Sequence, residues 1–383
     1  MENQNSVCFV ARINEVKPIE GADNIELAVI GGWNCIVKKG SHKAYELVVV
    51  ATTDAVIPQE LSDAINVTNY LRKGQRVRTV KLRGVYSECL VISLDSLPQM
   101  KEQYTKGIGY YWDEGTDLME KLGIYKYEPP AVQIQLSSGR VIKYHQNPNF
   151  GVYYKFPNIK NVQGMFNEYD EVEITRKIHG TNARYGIVRK SKLSIWDKLK
   201  RFFGNKWVEY EYVYGSHNVE KGSDSQGFYD SDVWRTIAEK YNIREKLWDL
   251  FKRYKDYYNI EEGIVIYGEI YGAGIQKNYD YRLTDIEFAG FDVTINGKYC
   301  EVGRSIDVFC NVLELSYVPI LYGGPWSQEI QDKFVFNNFI EGTKVPHEGV
   351  VIKAVDGDRR KVAKVINPDY LIYGEKHNVG DSH

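Results

Sequence analysis

A lone carboxylate stands in the middle of an apolar strand. Residues 265 to 271 read Val-Ile-Tyr-Gly-Glu-Ile-Tyr. Their β-branched and aromatic residues mark a strand, with Glu269 at its centre. A carboxylate buried there without a partner is costly, so the fold must bring it a cation or a ligand. Glu348, directly before Gly-Val-Val-Ile-Lys, makes the same demand, and Lys177, Lys353 and Lys364 lie in comparable strands. Each charge alone is compatible with a structural ion pair. Together they require strands of more than one sheet to share a polar cleft. Lys177 also opens the turn Lys-Ile-His-Gly-Thr-Asn, where Gly180 lets something come close to the backbone. A plain turn beside a solvated lysine is the alternative for that stretch alone.

The 383 residues are enough for two domains. A hydrophobic content of 43% and a charged content of 26% are those of a soluble globular chain. No apolar run is long enough to span a bilayer, and the N-terminus lacks a signal-peptide pattern. These features predict a cytoplasmic protein with no membrane partner. Cys8, Cys35, Cys89, Cys300 and Cys310 are scattered, and they form neither a disulfide framework nor a zinc motif. The net charge of −2 does not advertise a nucleic-acid binder. The charge is uneven, however. Residues 72 to 83 carry six Lys or Arg and no acid, and residues 189 to 206 carry seven against the single Asp197.

Residues 1–125 read as short strands punctuated by Gly, Asn and Pro, which predicts a small OB-like β-barrel. Residues 126–135 read as a Pro-stiffened linker. Residues 136–383 then form a second domain of antiparallel sheets with flanking helices, making the chain α+β. Helical spacing of Trp234, Ile237, Ala238 and Tyr241, and of Leu247, Leu250, Phe251 and Tyr254, predicts two core helices, with Ser231 as an N-cap. The basic amphipathic stretch Ile-Trp-Asp-Lys-Leu-Lys-Arg-Phe-Phe-Gly reads as a lid or insertion packing Trp196, Leu199 and Phe202. In the barrel, a bulge at Thr79–Val80 would gather Arg76, Arg78, Lys81 and Arg83 on one RNA-facing side, with Val77 and Leu82 on the other. Basic residues that merely keep an edge strand soluble are the competing reading.

The motifs Lys-Ile-His-Gly-Thr-Asn (177–182), Tyr-Gly-Glu-Ile-Tyr-Gly-Ala-Gly-Ile-Gln-Lys-Asn-Tyr-Asp-Tyr (267–281), Phe-Ala-Gly-Phe-Asp-Val (288–293), Glu-Gly-Val-Val-Ile-Lys (348–353) and Lys-Val-Ala-Lys-Val-Ile-Asn (361–367) occur in this order. They resemble the ATP-dependent RNA ligases of the covalent nucleotidyltransferase superfamily, and the second and third are closest to the phage nick-sealing type. The N-terminal portion resembles the OB module that precedes the catalytic domain in the Deinococcus and Naegleria type.

The resemblance implies that Lys177 takes AMP from ATP, that Phe291 stacks on adenine, and that Glu269 contacts the ribose or a metal-bound water. It further implies that Glu348 holds a Mg²⁺ or Mn²⁺ ion with its water, and that Lys353 and Lys364 face the phosphates. His179, Gly180, Thr181 and Asn182 belong to the nucleotide pocket. Ser216, His217 and Asn218 occupy the place of a motif that contacts ribose and RNA 5′-phosphate. His217 stands where many relatives have Arg, and Ile366 where a second lysine is usual.

A lysine amine attacks phosphorus only when neutral, and nearby cations favour that form. The implied activity joins RNA 3′-OH and 5′-phosphate ends, at nicks in duplex. A DNA ligase, a capping-type transferase and a non-catalytic RNA-binding module stay open as alternatives. The first two usually carry their OB domain after the last motif.

Overall fold

Leu47–Thr52 is apolar almost throughout, and both of its faces are covered. The computed structural model describes residues 6–71, 75–97, 113–127, 146–162, 164–224, 227–228, 232–355 and 360–379. The chain divides into two units, one holding the described residues of 1–132 with 157–166, the other those of 133–156 and 167–383.

In chain order the strands of the first unit are β1 (Cys8–Arg12), β2 (Glu15–Pro18), β3 (Ile25–Ile30), β4 (Trp33–Lys38), β5 (Leu47–Thr52), β6 (Ala55–Val56), β7 (Val80–Leu82), β8 (Val85–Ser87), β9 (Cys89–Ser93) and β10 (Tyr125–Lys126). β5 lies at the centre of the sheet β1-β5-β9, and β2-β3-β4 form a second sheet. Alternation sends Val48 and Val50 of β5 into a cluster with Ile13, Ala28, Ile30 and Cys35. It sends Val49 and Ala51 into a second cluster with Leu61, Leu118, Leu122 and Ile124. A strand buried on both faces is necessarily a continuous apolar run. The expected linker begins inside this unit. Tyr125 and Lys126 pair with β6, and the Tyr127 N–H donates to the Asp54 carbonyl at 2.8 Å. The rest of the expected linker, from 128, lies outside the described residues.

The basic hairpin differs from the expected bulge. β7 and β8 pair in regular register, Val80 with Ser87, Lys81 with Tyr86 and Leu82 with Val85. Arg83 and Gly84 form the turn, both with positive φ (51° and 81°). Leu82 is exposed instead of buried with Val77, and Arg83 belongs to the turn, so the four cations do not line one face. Arg76 is engaged within the fold. It donates to Asp54 through Nε at 2.9 Å, and its guanidinium lies 4.1 Å from the centre of the Tyr127 ring. Lys81 donates to the Tyr86 hydroxyl at 2.8 Å, and Arg78 is half-buried.

The strands of the second unit are β11 (Glu171–Lys177), β12 (Thr181–Arg189), β13 (Tyr210–Gly215), β14 (Glu220–Ser223), β15 (Gly227–Phe228), β16 (Gly263–Gly272), β17 (Ile286–Ile295), β18 (Lys298–Tyr299), β19 (Ile320–Pro325), β20 (Gly349–Ala354) and β21 (Val362–Ile366). They make a four-stranded sheet, β19-β11-β20-β21, and a seven-stranded one, β15-β14-β13-β12-β16-β17-β18. Consecutive strands β11 and β12 therefore belong to different sheets.

The large sheet turns Ala183, Tyr185, Ile187, Ile264, Ile266, Ile270 and Phe288 toward the core formed with Val233–Lys240 and Ile243–Tyr254. Those two helices match the expected stripes. The first is capped by Asp232, whose side chain accepts from the Arg235 N–H at 2.8 Å. Ser231, the expected cap, lies outside the described residues. The helix Ile195–Phe202 buries none of its residues, so the expectation that Trp196, Leu199 and Phe202 pack it down as a lid is overturned. Among the described residues no helix is long and apolar enough to cross a membrane.

Gly290 shows how tightly the large sheet meets its cover. A Cβ there would lie 2.0 Å from the ring of Phe309, which is fully buried. Gly290→Ala is expected to cost about 1–3 kcal/mol by overpacking. A urea titration followed by circular dichroism measures it, and an unchanged midpoint would show that the ring moves aside freely.

Candidate active site

Strand pairing decides which charges share a face. In the small sheet Glu173 pairs with Lys353, Thr175 with Val351 and Lys177 with Gly349, while Val351 also pairs with Lys364. Side chains alternate along each strand, so Glu173, Lys177, Lys353 and Lys364 point to one side, and Ile174, Arg176 and Ile352 to the other. In the large sheet Asn182 pairs with Glu269 and Arg184 with Tyr267. These residues occupy the face turned away from the helices. Thr181 pairs with Ile270 in the same register, which places it with the helix-packed set. The two polar faces meet, and the sequence-expected cleft lies between them.

The corner linking the sheets is Lys177-Ile178-His179-Gly180. A Cβ on Gly180 would fall 2.3 Å from the Ile270 carbonyl oxygen and 2.8 Å from Glu269 Cγ. The close approach that demands glycine is thus to strand β16, where the sequence reading had expected a bound nucleotide. Gln276 fixes the same corner by donating to the Gly180 carbonyl.

Lys177 Nζ donates to Glu348 Oε1 at 2.5 Å. The sequence reading expected cations beside this amine. The structure puts a carboxylate there, because β20 begins at Gly349 opposite Lys177 and carries Glu348 with it. Lys353 spends its amine elsewhere. It is buried, lies 3.5 Å from Asp292 Oδ2, and donates to the Phe291 carbonyl and to the Tyr317 hydroxyl at 3.4 Å. Burial pushes its pKa down, with Asp292 opposing that shift. Asp292 is further bonded by Arg360 and by the Tyr153 hydroxyl at 2.7 Å.

Phe291 owes its position to an irregularity. The register of β16 against β17 passes from Tyr267–Asp292 directly to Gly268–Gly290, leaving Phe291 as the extra residue of a bulge. It stays half-buried beside Tyr153, with ring centres 5.0 Å apart, whereas Phe288 is fully buried in the core.

His179 is enclosed by tyrosines. Its Nδ1 is 3.0 Å from the Tyr370 hydroxyl, its backbone N–H donates to Tyr281 at 2.7 Å, and its ring meets that of Tyr279 edge-on at 4.7 Å. Burial, with Lys177 adding to it, lowers its pKa to about 3, so the imidazole is neutral at physiological pH. Ile366, in the place of a usual lysine, packs among Tyr279, Ile340 and Tyr370. Burial raises the pKa of Glu269 to about 8, with Lys177 opposing the shift. The side chain keeps some exposure, which tempers that rise.

Three buried polar atoms around Lys177 have no hydrogen-bond partner among the described residues: His179 Nε2, Asn182 Oδ1 and Glu348 Oε2. Such atoms are costly unless a ligand meets them. Among the described residues no three acidic, His or Cys side chains gather as a metal cage. A divalent ion here would rely on one or two carboxylates, water and substrate oxygens, a pattern that suits Mg²⁺ or Mn²⁺.

Ser216, His217 and Asn218 form the turn between β13 and β14. The Ser216 carbonyl accepts from Arg184 Nε at 2.9 Å, and Asn218 is exposed. Burial, then Lys155 and Arg184, lower the His217 pKa. Sequence reasoning passed over Arg184, Glu173, Arg360 and Tyr370. Arg184 and Glu173 carry the same signal that singled out Glu269, a charge within an apolar strand. Arg360 and Tyr370 carry no such local signal.

The sequence profile of the RNA ligase family matches residues 170–366, and an OB-fold domain profile matches residues 7–94. The chain belongs to the RNA ligase family. Solved structures of Naegleria gruberi RNA ligase share its fold. A variant with ATP and Mn superposes with a TM-score of 0.67 at 22% identity, covering 97% of this chain and 99% of that one. A second variant, with AMP and Mn, gives 0.68 at 22%, covering 98% and 99%. The structure with PPi gives 0.67 at 22% with the same coverage. No curated protein matches the chain.

The raised Glu269 pKa has a signed consequence. A carboxyl whose folded pKa of about 8 exceeds its ordinary value of 4.5 stabilises the fold fully below the lower value and loses that contribution as pH rises through the upper one. Wild-type stability is expected to fall between about pH 5 and 8 more steeply than that of Glu269→Gln. Melting temperatures of both proteins across that range test this; parallel curves would show that Glu269 ionises normally.

Proposed function

We propose that the protein seals RNA ends with ATP as the AMP donor, acting on 3′-OH and 5′-phosphate termini at nicks in duplex. The observation that carries this reading is the set of polar atoms around Lys177, at the corner joining the two sheets, that have no partner among the described residues. In the first step Lys177 Nζ bonds to the α-phosphorus of ATP and pyrophosphate leaves. Glu348 Oε1, already bonded to Nζ, is placed to take the ammonium proton. AMP then passes from Lys177 to the RNA 5′-phosphate. Finally the 3′-OH attacks that phosphate, forming the phosphodiester and releasing AMP.

Phe291, held out by its bulge, is the stacking residue for adenine. Asn182 Oδ1 and His179 Nε2, buried and without a hydrogen-bond partner among the described residues, are assigned to the nucleotide pocket. Glu269 contacts the ribose or a metal-bound water, and Glu348, bonded to Lys177 through Oε1, holds the metal with its water. A divalent ion held there would offset charge on the phosphates. Lys353 and Lys364, on the Lys177 face of the small sheet, are assigned to the phosphate chain. Ser216, His217 and Asn218 receive the RNA 5′-phosphate, and the first unit, through Arg78, Lys81 and Arg83, supplies further backbone contacts. The Naegleria structures with ATP, AMP, PPi and Mn support this choice of donor and metal.

Incubation with α-labelled ATP and Mn²⁺ is expected to give a covalent adduct that Lys177→Ala abolishes. An unlabelled wild type would overturn the first step. Matched nicks with ribo- or deoxyribo-3′-OH ends then separate RNA from DNA sealing.

Phe291→Ala is expected to weaken adduct formation with little change in stability. Phe288→Ala should instead destabilise the fold by about 3–5 kcal/mol. Equal defects in adduct yield at matched folded fraction would show that Phe291 is not the stacking residue.

A further inference from the structure

The helix Ile195–Phe202 is mounted with its polar side toward the protein. A capping box starts it: Ser194 Oγ accepts from the Asp197 N–H at 3.0 Å, and Asp197 Oδ2 accepts from the Ser194 N–H at 3.1 Å. Two ion pairs then hold one side of the helix down. Lys190 Nζ lies 3.2 Å from Asp197, and Arg201 lies 2.7 Å from Glu209. At about 100° per residue, Asp197 and Arg201 share one side. Ile195, Trp196, Leu199, Phe202 and the following Phe203 fill an arc of about 120° on the opposite side. That side faces solvent. Ile195 is 83% exposed, Trp196 72%, Leu199 45%, Phe202 84% and Phe203 76%. Lys198 and Lys200 flank the arc, one at each edge, and both are exposed, as is Lys192.

Five large apolar side chains on eight or nine residues of solvent-facing surface need a cover. The acids of this region, Asp197 and Glu209, are taken up by the tethers, so the outward charge is cationic. The cover must therefore be anionic at its rim and apolar beneath. A single RNA strand fits poorly. Base-stacking sites are grooves lined with aromatics, whereas this is a convex ridge on which Ile195 and Leu199 cannot stack. Phe202 and Phe203 already engage each other edge-to-face, with centres 5.6 Å apart. A second copy of the chain would bring identical lysine rims together. An anionic phospholipid surface supplies both layers, phosphates for the lysines and acyl chains for the apolar arc.

We propose that Ile195–Phe203 is an interfacial anchor that seats this RNA ligase on anionic phospholipid bilayers. The helix follows the Arg189 end of β12, whereas Lys177 precedes its Thr181 end. A nine-residue strand of about 27 Å separates the two, so docking leaves the cleft open.

Flotation of the full chain with phosphatidylcholine vesicles, with and without phosphatidylserine, tests the anchor. Binding is expected only with phosphatidylserine and should weaken as salt is raised. Trp196→Ser with Phe202→Ser, and separately Lys198→Glu with Lys200→Glu, should each lower the bound fraction at least about tenfold, with circular dichroism and the Lys177 adduct unchanged. Absence of wild-type binding, or binding unaffected by the apolar variant, would overturn the proposal. So would a variant whose chief loss is affinity for 5′-phosphorylated RNA without vesicles, or a dimer in sedimentation. Those two results would assign the ridge to RNA or to self-association.

Discussion

The catalytic unit depends on one backbone crossing. β11 ends at Lys177 in the small sheet, and after three intervening residues the same chain enters the large sheet as β12. That passage is possible only because Gly180 has no side chain, since the Ile270 carbonyl occupies the space a Cβ would take. A lysine on so short a link is fixed relative to both sheets at once. Glu348 reaches it from the first sheet and Glu269 faces it from the second. Position, more than the chemistry of any one residue, makes Lys177 different from a surface lysine.

The same crossing explains why buried charge marks the cleft between the sheets. Strands that line a cleft between two sheets must carry polar groups on one face while remaining apolar on the other, so an isolated Glu or Lys in an apolar run marks the cleft side. That rule located Glu269, Glu348, Lys177 and Lys353, and applied evenly it would have located Arg184 and Glu173. It fails for Arg360 and Tyr370. Their local sequence is ordinary, and only tertiary packing brings them to Asp292 and His179. Strict alternation along 288–291 puts Phe288 and Phe291 on different faces, but the bulge that sets Phe291 apart is invisible in a pattern of period two.

Other departures have equally local causes. The basic run 76–83 was read as one strand with a bulge, yet Arg83-Gly84 is itself a tight turn of the kind that closes hairpins, and it sends Leu82 outward. The amphipathic pattern of residues 195–203 identified a helix and its two faces. It could not say which face meets the protein. In the structure the polar side meets Lys190 and Glu209, residues outside the helix that the pattern within 195–203 does not contain.

The cleft's ion pairs also constrain how it receives an anionic substrate. Lys177 is matched with Glu348, and Lys353 and Arg360 converge on Asp292. A polyphosphate arriving here exchanges partners with these carboxylates instead of meeting bare cations. Such exchange returns less affinity per contact than the number of charges suggests, because each new pair is formed at the expense of an old one. It gives selectivity in return. On the function proposed above, a ligand that also meets the His179, Asn182 and Glu348 atoms without partners among the described residues offsets the cost of opening the Lys177 pair. In the reaction proposed above, the Lys177–Glu348 bond must open before the amine can reach a phosphate.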